Sequence, residues 1–155
     1  MKNLTKRFYS FDYSKRRKFN CGGLALGTYL WEGLENWDYL YDDDYDTDED
    51  FMRALNVMAR DCAQEIVENF NGNVRIIEKE EDAKRGEIVF FLRLAPKDYH
   101  FVLKSGEKYY QKKGATPFLE EMSRRELYSD SWGDRYISDI IIFARKRWIR
   151  VEEED

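Results

Sequence analysis

A change of hydrophobic period near residue 73 constrains the fold of this chain more than any other sequence feature. Before it, residues 51–70 place apolar side chains three and four positions apart, which predicts an amphipathic helix of about five turns. After it, short runs rich in β-branched and aromatic residues predict strands. Helices followed by strands are typical of an α+β domain with a mainly antiparallel sheet.

The remaining elements follow from the same patterns. Residues 21–33 predict a second helix, which precedes the long one in the chain. The apolar run 86–95 predicts a central strand, and Ser105-Gly106 predicts a two-residue hairpin turn. Asn71-Gly72 is expected to end the long helix. The other predicted strands cover residues 74–77, 99–104, 108–113 and 137–144.

Composition and charge limit the class of protein. The 155 residues, 43% of them hydrophobic, suit one domain over residues 1–155 with a buried core. A net charge of −5 argues against a uniformly cationic nucleic-acid binder. The sequence contains no run of 18 apolar residues, so it predicts no membrane span. The basic N-terminal segment 1–19 has no apolar stretch behind it, so we expect no secretory signal and a cytoplasmic location, with export by another route left open.

The acidic segment 42–50 has seven carboxylates in nine positions and is interpreted as a solvated loop. Asp48 and Glu49 would fall at the start of the next helix, where the helix dipole favours anions. A calcium loop is the alternative, although the glycine at position six and the distal glutamate of an EF-hand are missing. With neither a Cys-x-x-Cys pair nor a histidine cluster, we expect no metal and no cofactor.

Cys21 is the candidate nucleophile. It follows Asn20 at the predicted start of a helix, where the positive end of the dipole favours a thiolate. Gly22 and Gly23 leave the neighbouring backbone N–H groups uncovered, so these groups could approach a substrate oxyanion. Cys62 lies within the apolar stripe of the long helix and is interpreted as a core residue.

His100 is the single histidine of the chain, so any chemistry that depends on histidine must use it. A two-residue turn at Ser105-Gly106 would place Gln111 directly opposite His100, close enough to orient the imidazole. A three-residue turn would shift the partner of His100 to Lys112, and this argument would fail. Asp98, two residues before His100 on the same strand face, is the alternative orienting residue.

These segments resemble the small papain-like cysteine peptidases of the NlpC type, in a phage and Firmicutes subgroup. NCGGLAL is similar to the nucleophile segment, and DYHFVLKSGEKYYQKKG to the histidine strand and the strand after it. The resemblance covers roughly residues 18–145. It implies a papain-like fold, with Cys21 as nucleophile, His100 as base and Gln111 as orienting residue. The subgroup more often has an aromatic or larger residue after the cysteine, and His or Asn as its third residue.

The expected function is therefore a cysteine-dependent amide hydrolase, a peptidase or amidase, with a peptide or protein substrate. The same residues would also suit deamidation or transamidation. A second hypothesis is a catalytically idle papain-like binding module or inhibitor, of phage origin, that acts on a host protein. A third is nucleic-acid binding through the basic tracts 15–18 and 145–148, which the negative net charge disfavours. The oligomeric state is left open.

Overall fold

The structure, a computed structural model, describes residues 4–130 and 136–149. The helices of this part of the chain are α1 (Leu4–Ser10), α2 (Tyr13–Arg16), α3 (Cys21–Leu26), α4 (Asp48–Asn69) and α5 (Arg124–Leu127). The strands are β1 (Val74–Ile77), β2 (Ile88–Ala95), β3 (Asp98–Ser105), β4 (Lys108–Gln111), β5 (Glu120–Met122) and β6 (Ile141–Arg145). One-turn 3-10 helices cover Asp42–Asp44 and Glu80–Asp82.

The described strands form one sheet in the order β1-β6-β2-β3-β4-β5, and every neighbouring pair is antiparallel. All eight residues of β2 are buried, which confirms the prediction of a central strand there. The expected α+β class with an antiparallel sheet is confirmed. Among the described residues, no helix combines the length and the apolar character needed to cross a bilayer.

The long helix α4 begins at Asp48, three residues before the stripe predicted over 51–70. The Thr47 side chain accepts a hydrogen bond from the Asp50 backbone N–H at 3.0 Å, and three carboxylates occupy the first turn. The helix thus takes in the end of the acidic segment 42–50, as expected for Asp48 and Glu49. It ends at Asn69, close to the predicted Asn71-Gly72 stop.

The sheet has two differently covered faces. On the face we call the helix face, Leu92, Leu94 and Phe101 join the core beneath α3 and α4. On the opposite face, called here the far face, Phe91 and Val102 join a smaller core that includes Leu127 of α5. Because side chains alternate along a strand, every site residue on β3 or β4 can be assigned to one face.

Four predicted elements are shorter than expected, and two of them, the strands predicted over 86–95 and 108–113, lose only two residues each. The helix predicted over 21–33 ends at Leu26, because Gly27 takes a left-handed φ of 73° and returns its N–H to the Leu24 carbonyl. The strand predicted over 137–144 begins only at Ile141. Before Ile141, the backbone N–H of Leu94 donates to the Ser138 hydroxyl oxygen. This bond takes the place of the next backbone hydrogen bond between β2 and β6. Helices α1, α2 and α5 and strand β5 were not predicted.

Candidate functional site

The candidate site lies where β4 separates from β3. The two strands pair only from Leu103 to Ser105 on the β3 side, and β4 ends at Gln111. The gap beside the first residues of β3 is a cleft of about 630 Å³. Its lining includes Cys21, Asp98, His100 and Gln111, together with Asn20, Trp31, Trp37, Tyr39, Lys97, Tyr99, Phe101, Lys112, Lys113, Gly114 and Glu126.

Asn20 fixes the start of α3 and the loop that follows the helix. Its side-chain oxygen accepts from the backbone N–H groups of Gly23 and Glu32, both at 3.0 Å. Its amide donates to the Glu32 carbonyl oxygen at 2.6 Å. With 4% of its surface exposed, Asn20 acts as a buried helix cap that also holds residue 32 beside the nucleophile. Cys21 is the first helical residue, as predicted.

The glycines after Cys21 are explained by packing. A Cβ at Gly23 would lie 2.0 Å from the Leu30 carbonyl oxygen. A Cβ at Gly22 would lie 3.1 Å from the Glu32 Cβ atom and 3.3 Å from the Phe101 ring. Both glycines are buried, and Gly22 lies outside the cleft lining. The two glycines therefore let the returning loop and β3 pack closely against the helix, and the Gly23 N–H is already bonded to the Asn20 side-chain oxygen.

The Cys21 thiol is protonated at neutral pH, contrary to the expectation of a dipole-stabilised thiolate. Although the residue is only partly buried, the sulfur is enclosed, and this burial raises the pKa of Cys21 to about 11. The backbone N–H of Phe101 acts in the opposite direction, the carboxylate of Asp98 adds to the increase, and the N–H groups of Gly22 and Cys21 lower the pKa. Burial therefore changes the pKa of Cys21 more than the N–H groups at the start of the six-residue helix α3 do.

His100 reaches the cleft from the far face. It pairs with Arg93 on β2, and directly opposed residues share a face. Arg93 is buried there and donates to the carbonyl oxygens of Ser138, Leu127 and Ser129. Cys21 instead packs on the helix-face core beside Phe101. The proposed nucleophile and base thus line one cleft but approach it from opposite sides of β3.

The predicted pairing of His100 with Gln111 is wrong. The hairpin turn is Gly106-Glu107, with Ser105 opposite Lys108, so the register places Gln111 opposite Val102. Gln111 still shares the far face with His100, as its diagonal neighbour. Its side-chain amide donates to Glu120 at 3.2 Å.

Asp98, the alternative third residue, is exposed at the start of β3, where its carboxylate accepts from the Tyr99 backbone N–H at 2.8 Å.

Lys112 also lines the cleft, although the sequence did not assign it to the site. Only 1% of its surface is exposed, and its ammonium donates to the Phe19 carbonyl oxygen at 2.5 Å and to the Gly114 carbonyl oxygen. Leu103 opposes Tyr110, so alternation places Lys112 on the helix face, the side of Cys21. Burial lowers the pKa of Lys112 to about 8. A lysine that follows the core-facing position 110 by two residues was the available signal.

Cys62 belongs to the core. It is fully buried in α4, and burial raises the pKa of its thiol to about 12. Both cysteines are free.

Aromatic side chains form one wall of the cleft. Trp31 and Tyr39 are 57% and 52% exposed, and the Trp37 ring lies 5.2 Å from the rings of both Tyr39 and Tyr99. Such a wall would accommodate an apolar or aromatic group of a ligand.

Two alternative sites were predicted from charge, a calcium loop and a basic nucleic-acid surface. No three His, Cys, Asp or Glu side chains of residues 4–130 and 136–149 are grouped so that they could hold a metal ion. Of the basic tracts, Arg145 is buried and donates to the Ala25 carbonyl oxygen at 2.7 Å, and Arg16 donates to the carbonyl oxygens of Phe11 and Pro117. These two cations are therefore engaged with the protein itself.

Comparison of the chain with protein-family models, with curated proteins and with solved structures finds no match.

Proposed function

We propose that the protein is a cysteine-dependent amide hydrolase, with Cys21 as nucleophile, His100 as proton carrier and a peptide or protein as substrate. The observation that supports this most is the convergence of three separate segments on one cleft. The start of α3 contributes Cys21, β3 contributes Asp98 and His100, and the end of β4 contributes Gln111. The papain-like resemblance of these segments assigns the same residues.

The reaction follows from the chemistry of these groups. The Cys21 sulfur attacks the carbonyl carbon of the amide while its proton passes to His100. The carbonyl electrons move to oxygen, and the backbone N–H groups of Cys21 and Gly22, which lie near enough to the sulfur to lower its pKa, would stabilise this oxyanion. The C–N bond then breaks, the leaving amine takes the proton from His100, and water hydrolyses the thioester to a carboxylic acid and free Cys21.

The wall formed by Trp31, Trp37 and Tyr39 supports a substrate with an apolar or aromatic side chain next to the scissile bond. Lys97, Lys112 and Lys113 line the same cleft, so the substrate would meet apolar and cationic groups together.

A catalytically idle binding module is the second candidate, and two observations favour it. A thiol with a pKa of about 11 is a poor nucleophile at pH 7 unless a base removes its proton. Cys21 and His100 also reach the cleft from opposite faces of β3, an arrangement that disfavours direct proton transfer between them. In such a module the aromatic wall would bind a protein partner without turnover.

The test is hydrolysis of a degenerate peptide library, read by mass spectrometry, for the wild type, Cys21→Ala and His100→Ala. Cys62→Ala is the matched control, because it removes the other thiol of the chain. We expect new termini from the wild type and the control, and a loss of at least about 100-fold in both site variants. Equal cleavage by Cys21→Ala would overturn the nucleophile assignment. No cleavage by the folded wild type would favour the binding module.

A further inference from the structure

Lys112 is a buried cation that lines the cleft with Cys21, and the hydrolase mechanism gives it no role. Its ammonium is held between the Phe19 and Gly114 carbonyl oxygens and lies 5.0 Å from the centre of the Phe19 ring. Phe19 is two residues before Cys21. The hydrogen bond from Lys112 therefore connects the segment that contains the thiol with the residue that follows β4.

The environment of this ammonium is short of negative charge. Among residues 4–130 and 136–149, the observed ion pairs do not include Lys112. Burying a cation without a carboxylate partner costs desolvation free energy, and hydrogen bonds to carbonyl oxygens compensate this cost only in part. An anion that forms beside Lys112 during a reaction would supply the missing charge.

The thiolate of Cys21 is such an anion. Cys21 and Lys112 lie on the helix face and line the same cleft, and the sulfur charge acts on Lys112 strongly enough to oppose the decrease in its pKa. His100 lies on the far face. The other ionisable groups that face this cleft are Lys97, Asp98, Tyr99, Lys113 and Glu126.

We propose that Lys112 is a positioning residue for the proposed hydrolase, because its ammonium stabilises the Cys21 thiolate from the same face of the sheet and holds the start of α3 in place. This inference rests on the proposed function for its biological role. The thiol–ammonium pair is present in the protein without a substrate, so its titration can be measured independently of any cleavage.

The pair has a distinctive titration. As the pH rises through about 8, the thiol–ammonium pair loses one proton. The remaining proton is shared between sulfur and nitrogen, so a fraction of the molecules holds thiolate beside ammonium. That fraction stays constant until the second proton leaves near pH 11. A lone thiol would instead give a single increase in thiolate, near pH 11 or above.

The experiment measures the rate of Cys21 alkylation by iodoacetamide from pH 6 to 11, by intact mass, in a Cys62→Ala background. We expect two inflections for the parent protein and one for Lys112→Met, with the variant at least about tenfold slower at pH 9, the change that one pKa unit makes in the thiolate fraction. Lys113→Met is the matched control, because Lys113 lines the same cleft and pairs with Glu120 at the surface. It should keep both inflections.

Two outcomes would overturn the assignment. One is a single inflection in the parent protein, which needs no variant and therefore holds even if Lys112→Met fails to fold. The other is a low-pH inflection that His100→Gln abolishes and folded Lys112→Met retains, because His100 would then be the partner of the thiol. Peptide-library cleavage tests the hydrolase separately, since an ion pair can be present in a protein that cleaves nothing.

Discussion

Replacing Glu80 should destabilise the far face of the sheet, because this carboxylate joins four side chains. It accepts from the hydroxyls of Tyr109 at 2.7 Å and Tyr128 at 2.8 Å, and pairs with Lys104 at 3.0 Å and Arg124 at 3.3 Å. Its side chain is 5% exposed. Hydrogen bonds to a charged group contribute about 1.5–3 kcal/mol each. Because Gln keeps one acceptor oxygen, Glu80→Gln should lower the free energy of unfolding by about 3 kcal/mol.

The assay is urea unfolding at pH 7 with linear extrapolation. Glu81→Gln is the matched control: Glu81 is the exposed next residue in the same turn, and the change should be within about 0.5 kcal/mol. A loss below about 1 kcal/mol for Glu80→Gln would refute the argument that this cluster is stabilising.

The effect of pH provides a second check on Glu80. Burial raises its pKa, but the hydrogen bonds from Tyr109, Tyr128 and Lys104 outweigh burial, so the pKa lies below its ordinary value. A carboxylate with a depressed folded-state pKa contributes stability above its unfolded pKa of about 4.3, and this contribution is lost as the pH falls through the folded value. The difference between wild type and Glu80→Gln should therefore shrink below about pH 4. A constant difference down to pH 3 would contradict the assignment.

Three further substitutions test other parts of the structure. Gly23→Ala places a Cβ 2.0 Å from a backbone carbonyl oxygen and should lower the urea midpoint by an amount equivalent to about 3 kcal/mol, whereas Gly33→Ala, with open space around it, should change little. Cys62→Ala should lose about 1 kcal/mol in the same assay and leave library cleavage per folded molecule unchanged. Asp98→Asn should accelerate Cys21 alkylation at pH 9, since the carboxylate raises the pKa of the thiol; a slower reaction would assign Asp98 a supporting role.

The long helix and the central strand were predictable because local patterns and tertiary burial agree there. The stripe over 51–70 is the buried side of α4, and Thr47 with the acids after it gives the start. The continuous apolar run at 88–95 is buried on both faces, as expected for an interior strand. The pattern over 21–33 predicts too long a helix, because it does not distinguish Gly27, which ends α3, from a helical residue.

The hairpin register was not determined by hydrophobic pattern. Moving the turn from Ser105-Gly106 to Gly106-Glu107 shifts every cross-strand partner by two residues, and a shift of two keeps each side chain on its face. Both registers therefore satisfy the alternation equally. The turn chemistry distinguishes them, because Gly106 has a φ of 64° and occupies the first turn position, which a type II′ turn reserves for glycine.

The register of the hairpin also determines on which face of the sheet the residues at the end of β4 lie. With the turn one residue later, Gln111 is the last paired residue and Lys112 is the first to leave the ladder. Alternation turns Lys112 toward the helix face and Phe19, while Gln111 remains beside His100 on the far face. The cleft thus joins two chemically different sides. A thiol and a buried ammonium lie on one side, and an imidazole with an amide lies on the other, so a substrate carbonyl seated between them could take a nucleophile from one face and a proton from the other.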